Sequence, residues 1–193
     1  MKVGVLCEFS GVVRDAFIRR GHDAVSCDLL PCEAPGPHIQ GDCLAQDWSG
    51  FDLLICHPPC TYLCNSGVRW LSRPMRRAWM EQAAGFFRAM LALPAPMVAV
   101  ENPIPHGHAN LPPYSQVIQP WQFGHGETKA TCLWLKGLPS LVPTRIVEGR
   151  EAVVHRATPG ADRWKRRSKT YEGIAEAMAD QWGSLESFAR KEA

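Results

Sequence analysis

Apolar positions along the chain follow two alternating periods. Short aliphatic runs bounded by turn residues occur at 2–9, 23–29, 53–57 and 97–100, each the length of a buried strand. Between them the apolar spacing becomes helical. Val12, Val13, Phe17 and Ile18 follow the Ser10-Gly11 turn, and Gly21 closes that segment. Met75, Trp79, Ala83, Phe86, Phe87, Met90 and Leu91 form one stripe of a helix expected over 73–93, stopped by Pro94 and Pro96. We read that stripe as core packing without chemistry. A loop rich in Pro and Gly leads to a short strand near 38–40, 117–121 reads as strand-like and 129–135 as a strand. A closing helix presents Ile174, Ala177, Met178 and Trp182 on one face. Strands alternating with helices predict an α/β fold built on a single, doubly wound, mostly parallel sheet.

Composition narrows this picture only modestly. A chain of 193 residues fits one domain, and 46% hydrophobic against 21% charged residues is ordinary for a globular protein. The first segment turns polar after six residues and no apolar run reaches membrane-spanning length, so a cytoplasmic protein without membrane contact is expected. Eight cysteines in such a chain are expected to be reduced thiols. The net charge of +2 neither requires nor excludes nucleic acid, because clustering on one face decides phosphate binding. One cluster runs through Arg163, Lys165, Arg166, Arg167 and Lys169; a thinner one runs through Arg69, Arg73, Arg76 and Arg77.

The candidate chemistry gathers at strand ends. Pro58-Pro59 terminates the run Leu53, Leu54, Ile55, Cys56 and His57, which places Cys60 on a stiffened loop just past a strand's carboxyl edge, where ligands bind in open α/β sheets. A thiol so presented is a candidate nucleophile; the competing readings are a buried core thiol and, with Cys56 and Cys64, a metal ligand of unsuitable spacing. Glu101 at the end of the next long strand is a candidate proton donor to the same substrate. Asp28 ends the second strand and either accepts ribose hydroxyls or caps a loop. Asp42 follows the third strand and could accept from an adenine amino group. His106 and His108, with no third ligand evident, are expected to face solvent.

These blocks together resemble the S-adenosylmethionine-dependent DNA cytosine-5 methyltransferases. Pro58-Pro59-Cys60 with Ser66-Gly67 looks like the family's catalytic loop, and Glu101-Asn102-Pro103 is similar to its Glu-Asn-Val. Glu8 to Gly11, EFSG, resembles the Phe-x-Gly-x-Gly cofactor block, with Val13 in place of its second glycine. Positions corresponding to the family's Gln-x-Arg-x-Arg are Glu127, Lys129 and Thr131, so only Lys129 keeps a positive charge. Thr170 and Tyr171 stand nearest to the usual Gly-Asn-Ser. The resemblance implies a Rossmann-like class I methyltransferase fold, Cys60 and Glu101 as catalytic residues, and S-adenosylmethionine as cofactor. It places the cofactor at Phe9, Ser10, Gly11, Asp28, Leu29, Asp42, Cys43, Pro58, Thr170 and Tyr171. It places substrate at Pro59, Ser66, Asn102 and Lys129, with Arg163, Lys165, Arg166 and Arg167 as phosphate contacts or a solvated turn.

The compact phage and prophage type is the nearest kind, because 137–162 is too short for the family's large target-recognition domain. DNA, single-stranded or duplex with a flipped cytosine, is the expected partner, and a homodimer or partner protein could supply recognition. No metal is required. Two alternatives stay open: the same chemistry on a free cytosine nucleotide, and a catalytically silent nucleic-acid or cofactor-binding module. An amino-methyltransferase fits less well, since His57 occupies the position of its acidic or Asn residue.

Overall fold

The computed structural model describes residues 1–158 and 160–185. Seven strands form one sheet: β1 (Lys2–Leu6), β2 (Asp23–Asp28), β3 (His38–Gln40), β4 (Leu53–Cys56), β5 (Met97–Pro103), β6 (Gln116–Ile118) and β7 (Thr131–Lys136). Their order is β3-β2-β1-β4-β5-β7-β6. Strands β1 to β5 pair in parallel, and β7 runs antiparallel between β5 and β6. Helix α1 (Val12–Arg19) connects β1 to β2 and α2 (Arg76–Leu91) connects β4 to β5; α3 (Val153–Arg156), α4 (Arg163–Ser168) and α5 (Glu172–Gly183) follow β7. The chain winds outward from β1 to β3, then returns to lay β4 on the other side of β1. That reversal opens a crevice at the carboxyl ends of β1 and β4, where doubly wound sheets bind ligands.

The period of two in each strand divides the core. Val3, Val5, Leu53, Ile55 and Ala99 face one side, where Phe17 of α1 and Ile174, Met178 and Trp182 of α5 cover them. Leu6, Leu54, Cys56, Val98 and Val100 face the other, against Ala84, Phe87 and Met90 of α2. Both faces are dry, which is why these strands read as continuous apolar runs. At the solvent edge of α1 and α5, Arg20 pairs with Glu176 and Asp180, and Arg19 also reaches Glu176.

Several boundaries differ from the sequence reading: β5 runs on past residue 100 to Pro103, and β7 starts at Thr131 rather than at residue 129. The first strand stops at Leu6, because Cys7 takes φ 57 and turns the chain out of the pleat. The strand-like segment ends at Ile118, and Pro120 opens a 3-10 turn. The helix expected over 73–93 begins only at Arg76, after Met75 at φ 62. Its buried stripe is Met80, Ala84, Phe87 and Met90, while Met75 and Trp79 are exposed. Phe87 and Met90 are buried as expected, whereas the first half of the stripe shifts by one residue to Met80 and Ala84, because Trp79 packs on Tyr62 rather than on the sheet, with ring centroids 5.6 Å apart.

Helix α5 meets the rest of the chain through Gly173, where a Cβ would lie 1.8 Å from the Phe123 carbonyl oxygen. Gly173→Ala is therefore expected to lower the unfolding free energy by about 1–3 kcal/mol. Gly85→Ala, on a helical position whose Cβ would meet nothing, is expected to raise it by about 0.5–1 kcal/mol. Urea unfolding of the two variants beside the parent chain checks both signs.

Candidate active site

The carboxyl ends of β1, β4 and β5 lie side by side, with Leu6 opposite Cys56 and Cys56 opposite Val100. The next residues out are charged or polar: Glu8 after β1, His57 after β4, and Glu101 on β5. The antiparallel partner β7 extends β5 to Pro103, so Glu101 and Asn102 are held in pairing with Leu133 and Cys132 rather than left on a loop.

Glu8 is buried and folds back to hold the start of α1. Its Oε1 accepts the Val13 N–H at 2.7 Å and its Oε2 the Arg14 N–H at 3.2 Å, two donors that a helix start otherwise leaves unpaired. Burial pushes the Glu8 carboxyl up, against the opposing pull of His57 and those N–H groups. The chain enters α1 through Gly11 at φ 76, a conformation that suits glycine. Val13 does not disturb this turn; its side chain is fully buried in the core. The turn is secured instead by Arg14, completely buried, whose Nη2 donates to the Pro35 carbonyl at 2.9 Å and Nη1 to Ser26 Oγ at 3.2 Å.

His57 bonds one of the two acids and acts on the other through its charge. Its Nδ1 lies 2.8 Å from Glu101 Oε2, while its buried Nε2 has no protein partner and lines a cleft with Glu8, Phe9 and Ser10. Burial pushes the Glu101 carboxyl up, but the hydrogen bond with His57, aided by Lys129, outweighs it and holds the carboxyl below its usual value. A carboxyl raised by burial was the simpler expectation; the imidazole reverses it.

Two small clefts meet at this pair. One, about 290 Å³, runs from Cys7, Glu8, Phe9 and Ser10 to Ser168, Lys169 and Thr170. The other, about 250 Å³, is lined by Glu101, Lys129 and Thr131 beneath Thr170 and Tyr171. Thr170 borders both. Tyr171 donates its hydroxyl to Glu127 Oε2 at 2.7 Å, and the Lys129 ammonium sits 5.8 Å from the Tyr171 ring.

Cys60 lies beyond the lining of both clefts but within the electrostatic reach of Glu101 and Lys129. Its thiol shares a hydrogen bond with Cys64, and that bond together with burial pushes Cys60 up. Cys64, which keeps the bond from Cys60 and has Ser66 Oγ at 3.1 Å, is pulled down to about 5. Of the two thiols, Cys64 is thus the one whose thiolate form is favoured. Lys129 pulls the Cys60 thiol down, against those effects, and Arg69 stacks on Trp70 at 4.6 Å. Pro58 is buried and Pro59 exposed.

Other candidates take varied places. Asp28 and Asp42 stand at the next strand ends along the same edge, each accepting a backbone N–H two residues on at 2.9 Å (Leu30 and Leu44). Leu29 is exposed on the rim, and Cys43 is buried with its sulfur 3.7 Å from that of Cys7. Asn102 is fully buried; its Nδ2 bonds the Pro103 carbonyl and its Oδ1 has no protein partner. Arg163, Lys165, Arg166 and Arg167 form α4, which lies over the first cleft: Trp164 packs on Phe9 at 5.7 Å, and Lys169 pairs with Glu33 at 2.5 Å. His106 is buried, contrary to the solvent-facing expectation, because its Nε2 bonds the Tyr62 carbonyl at 3.0 Å and braces the Cys60 loop. Among the described residues no group of three potential ligands is placed to hold a metal ion.

The sequence reading passed over Glu8 and His57 as site residues. Each stands at the carboxyl end of a buried strand, the same signal that marked Glu101.

No protein-family model matches the chain, and none of the curated proteins does. Solved structures do. A candidate DNA modification methyltransferase encoded within an Escherichia coli prophage superposes with a TM-score of 0.50 at 16% identity, covering 77% of this chain and 52% of that one. The Entamoeba histolytica methyltransferase EhMeth gives 0.45 at 11% identity, covering 83% of this chain and 61% of its own. The chain thus spans about half the length of the prophage protein, with which it shares the Rossmann-like α/β fold.

Removing the imidazole should expose the conflict it resolves. Glu101 sits below its unfolded value of about 4.3, so its ionisation contributes stability that is lost as pH falls through the folded value. In His57→Phe, burial raises the carboxyl instead. The variant should then lose about 1–3 kcal/mol at neutral pH and recover part of it on acidification toward pH 5. Adding Glu101→Gln should abolish that pH dependence; denaturant unfolding of the single and double variants across this range checks it.

Proposed function

We propose that the chain is an S-adenosylmethionine-dependent DNA methyltransferase that acts on cytosine carbon 5, with Cys60 as nucleophile and Glu101 as the group serving ring nitrogen N3. The observation that carries this reading is the convergence of Cys60, Glu101 and Lys129 at the ends of adjacent strands β4, β5 and β7 beside the switch-point crevice. The fold shared with the prophage protein supports methyl transfer, and its description as a DNA modification enzyme supports DNA as substrate.

The residues fit a cofactor of this class. Backbone unshielded by a side chain at Gly11, the buried Glu8, the unpartnered His57 Nε2 and the α4 cover make a polar, enclosed cleft. Phe9, Ser10, Gly11 and Thr170 would hold its amino-acid part, and Asp28 and Asp42 its ribose and adenine. When bound, it supplies an electrophilic methyl group on a sulfonium.

The protein's own groups prepare the base. Cys60 passes its proton to the Cys64 thiolate and its sulfur adds to cytosine C6, forming the C–S bond. N3 takes a proton from the His57–Glu101 pair, which must carry one beyond carboxylate and neutral imidazole. Carbon 5, now enamine-like, accepts the methyl group. Loss of the C5 proton to solvent then breaks the C–S bond, and the pair and the two thiols recover their starting protonation. Lys129 lowers the cost of charge on both sulfur and carboxylate.

Transfer of labelled methyl to duplex DNA, single-stranded DNA and dCMP, with nucleoside mass spectrometry, tests the reading. We expect 5-methylcytosine in DNA and its loss, by at least about a thousandfold, in Cys60→Ala. Methylation of dCMP alone would move the substrate to a free nucleotide, and cofactor binding without transfer to any of the three would overturn the catalytic reading.

A further inference from the structure

We infer that the surface just beyond Cys60, built from Tyr62, Arg69, Trp70, Arg73, Arg76 and Trp79, is the platform on which a DNA strand lies while its cytosine enters the site. The inference rests on the reading of DNA as substrate but concerns where the strand is held.

The backbone under this surface is tied to the rest of the site. Cys60 O accepts the N–H groups of Leu63 and Cys64 at 3.0 and 3.1 Å, which closes a tight turn directly after the nucleophile. Asn65 N donates to Ile104 O at 3.0 Å and His106 N to Leu63 O at 2.9 Å, while the His106 ring holds the Tyr62 carbonyl. Arg76 Nη2 donates to the Thr61 carbonyl at 3.1 Å, one residue from Cys60.

On this base the cations are held by rings rather than by acids. The Arg73 guanidinium lies 3.8 Å from the Trp70 ring centroid, Arg69 4.6 Å from the same ring, and Arg76 4.4 Å from that of Tyr62, which in turn packs on Trp79. On the α1 side, by contrast, arginines meet carboxylates: Arg14 pairs with Asp15, and Arg19 and Arg20 with Glu176 and Asp180. None of Arg69, Arg73, Arg76 and Arg77 makes an ion pair among the described residues. The reason is in the sequence: no Asp or Glu occurs at 53–80, nor at 102–126, the segment that braces it.

A guanidinium laid on an aromatic face keeps its fork of donors free and loses little rotamer freedom when it meets an anion. Several such groups in an acid-free field suit a polyanion, and the planar fork suits phosphate oxygens. Met75 adds an apolar tip, 63% exposed at φ 62 between Arg73 and Arg76, of the kind that wedges beside a base step. The α4 basic residues, by contrast, sit over the cofactor cleft with Trp164 on Phe9. The strand is therefore assigned to the Cys60 side of the crevice and α4 to the cofactor side.

The test reads binding apart from methylation. Fluorescence anisotropy of the full chain with a labelled cytosine-containing oligonucleotide, single-stranded or duplex, is measured across a KCl series for the parent, R69E/R73E and R69Q/R73Q. R150E serves as control, since Arg150 stacks on Trp121 at 3.9 Å outside this surface. Circular dichroism and thermal midpoints confirm folding, and the Gln pair keeps the test open if charge reversal impairs it. We expect at least a tenfold loss of affinity in the double variants and a salt slope shallower by about 1.4 on single strands, with R150E unchanged. Patch-dependent DNA binding without methyl transfer would sustain this inference while the catalytic reading fell. DNA methylation with binding unaffected by the double variants would overturn it and leave that reading standing. Absence of DNA binding by the parent, or patch-dependent binding to phosphatidylglycerol vesicles in its place, would also overturn it.

Discussion

A single imidazole between two carboxylates governs the architecture of the site. Parallel strands in register bring their carboxyl ends to one level, so the residues at or just past the ends of β1, β4 and β5 lie within electrostatic reach of one another. Here those are Glu8, His57 and Glu101, all largely withdrawn from water. Two carboxylates so placed would each be driven toward the neutral form by burial. The Glu101 carboxyl escapes because His57 Nδ1 bonds it at 2.8 Å, and Glu8 is offset by the first N–H groups of α1 together with the same imidazole. The Glu8 contact fixes where α1 starts, and with it the turn at Gly11; the Glu101 contact fixes the charge at the mouth of the cleft lined by Lys129 and Thr131.

The two sides of this centre are finished by different parts of the chain. On the β1 side the cover comes from after β7: α4 lays Trp164 on Phe9, Lys169 reaches Glu33, and Thr170 leads into α5. On the β4 side the loop after Cys60 is fastened by Pro105, His106 and Arg76. A cofactor and a substrate approaching from opposite sides would meet at His57 and Glu101. The Cys60–Cys64 pair belongs to the second side, where burial and the neighbouring thiol disfavour charge on Cys60. Cys64, whose thiolate form is the favoured one, also has Ser66 Oγ within reach.

Local sequence sufficed for the α/β alternation, the short buried strands and the place of Cys60 just past a strand end, because these depend on the local apolar period and on the abrupt stop at Pro58-Pro59. Glu101 was placed near the carboxyl end of its strand, but that strand runs on through it to Pro103. The sequence also marked Lys129, the one cation kept at the head of the strand beside β5. What it could not determine were properties set by atoms far apart in the chain. The phase of α2 depended on whether Trp79 would find the sheet or Tyr62. The burial of His106 depended on a carbonyl of Tyr62, and the place of α4 on the Phe9 ring that Trp164 packs against. The ionisation of Glu101 depended on a histidine 44 residues earlier in the chain. Local patterning decides which faces of an element are apolar, whereas partner choice and protonation follow from distances and shared burial that exist only once β1, β4 and β5 lie side by side.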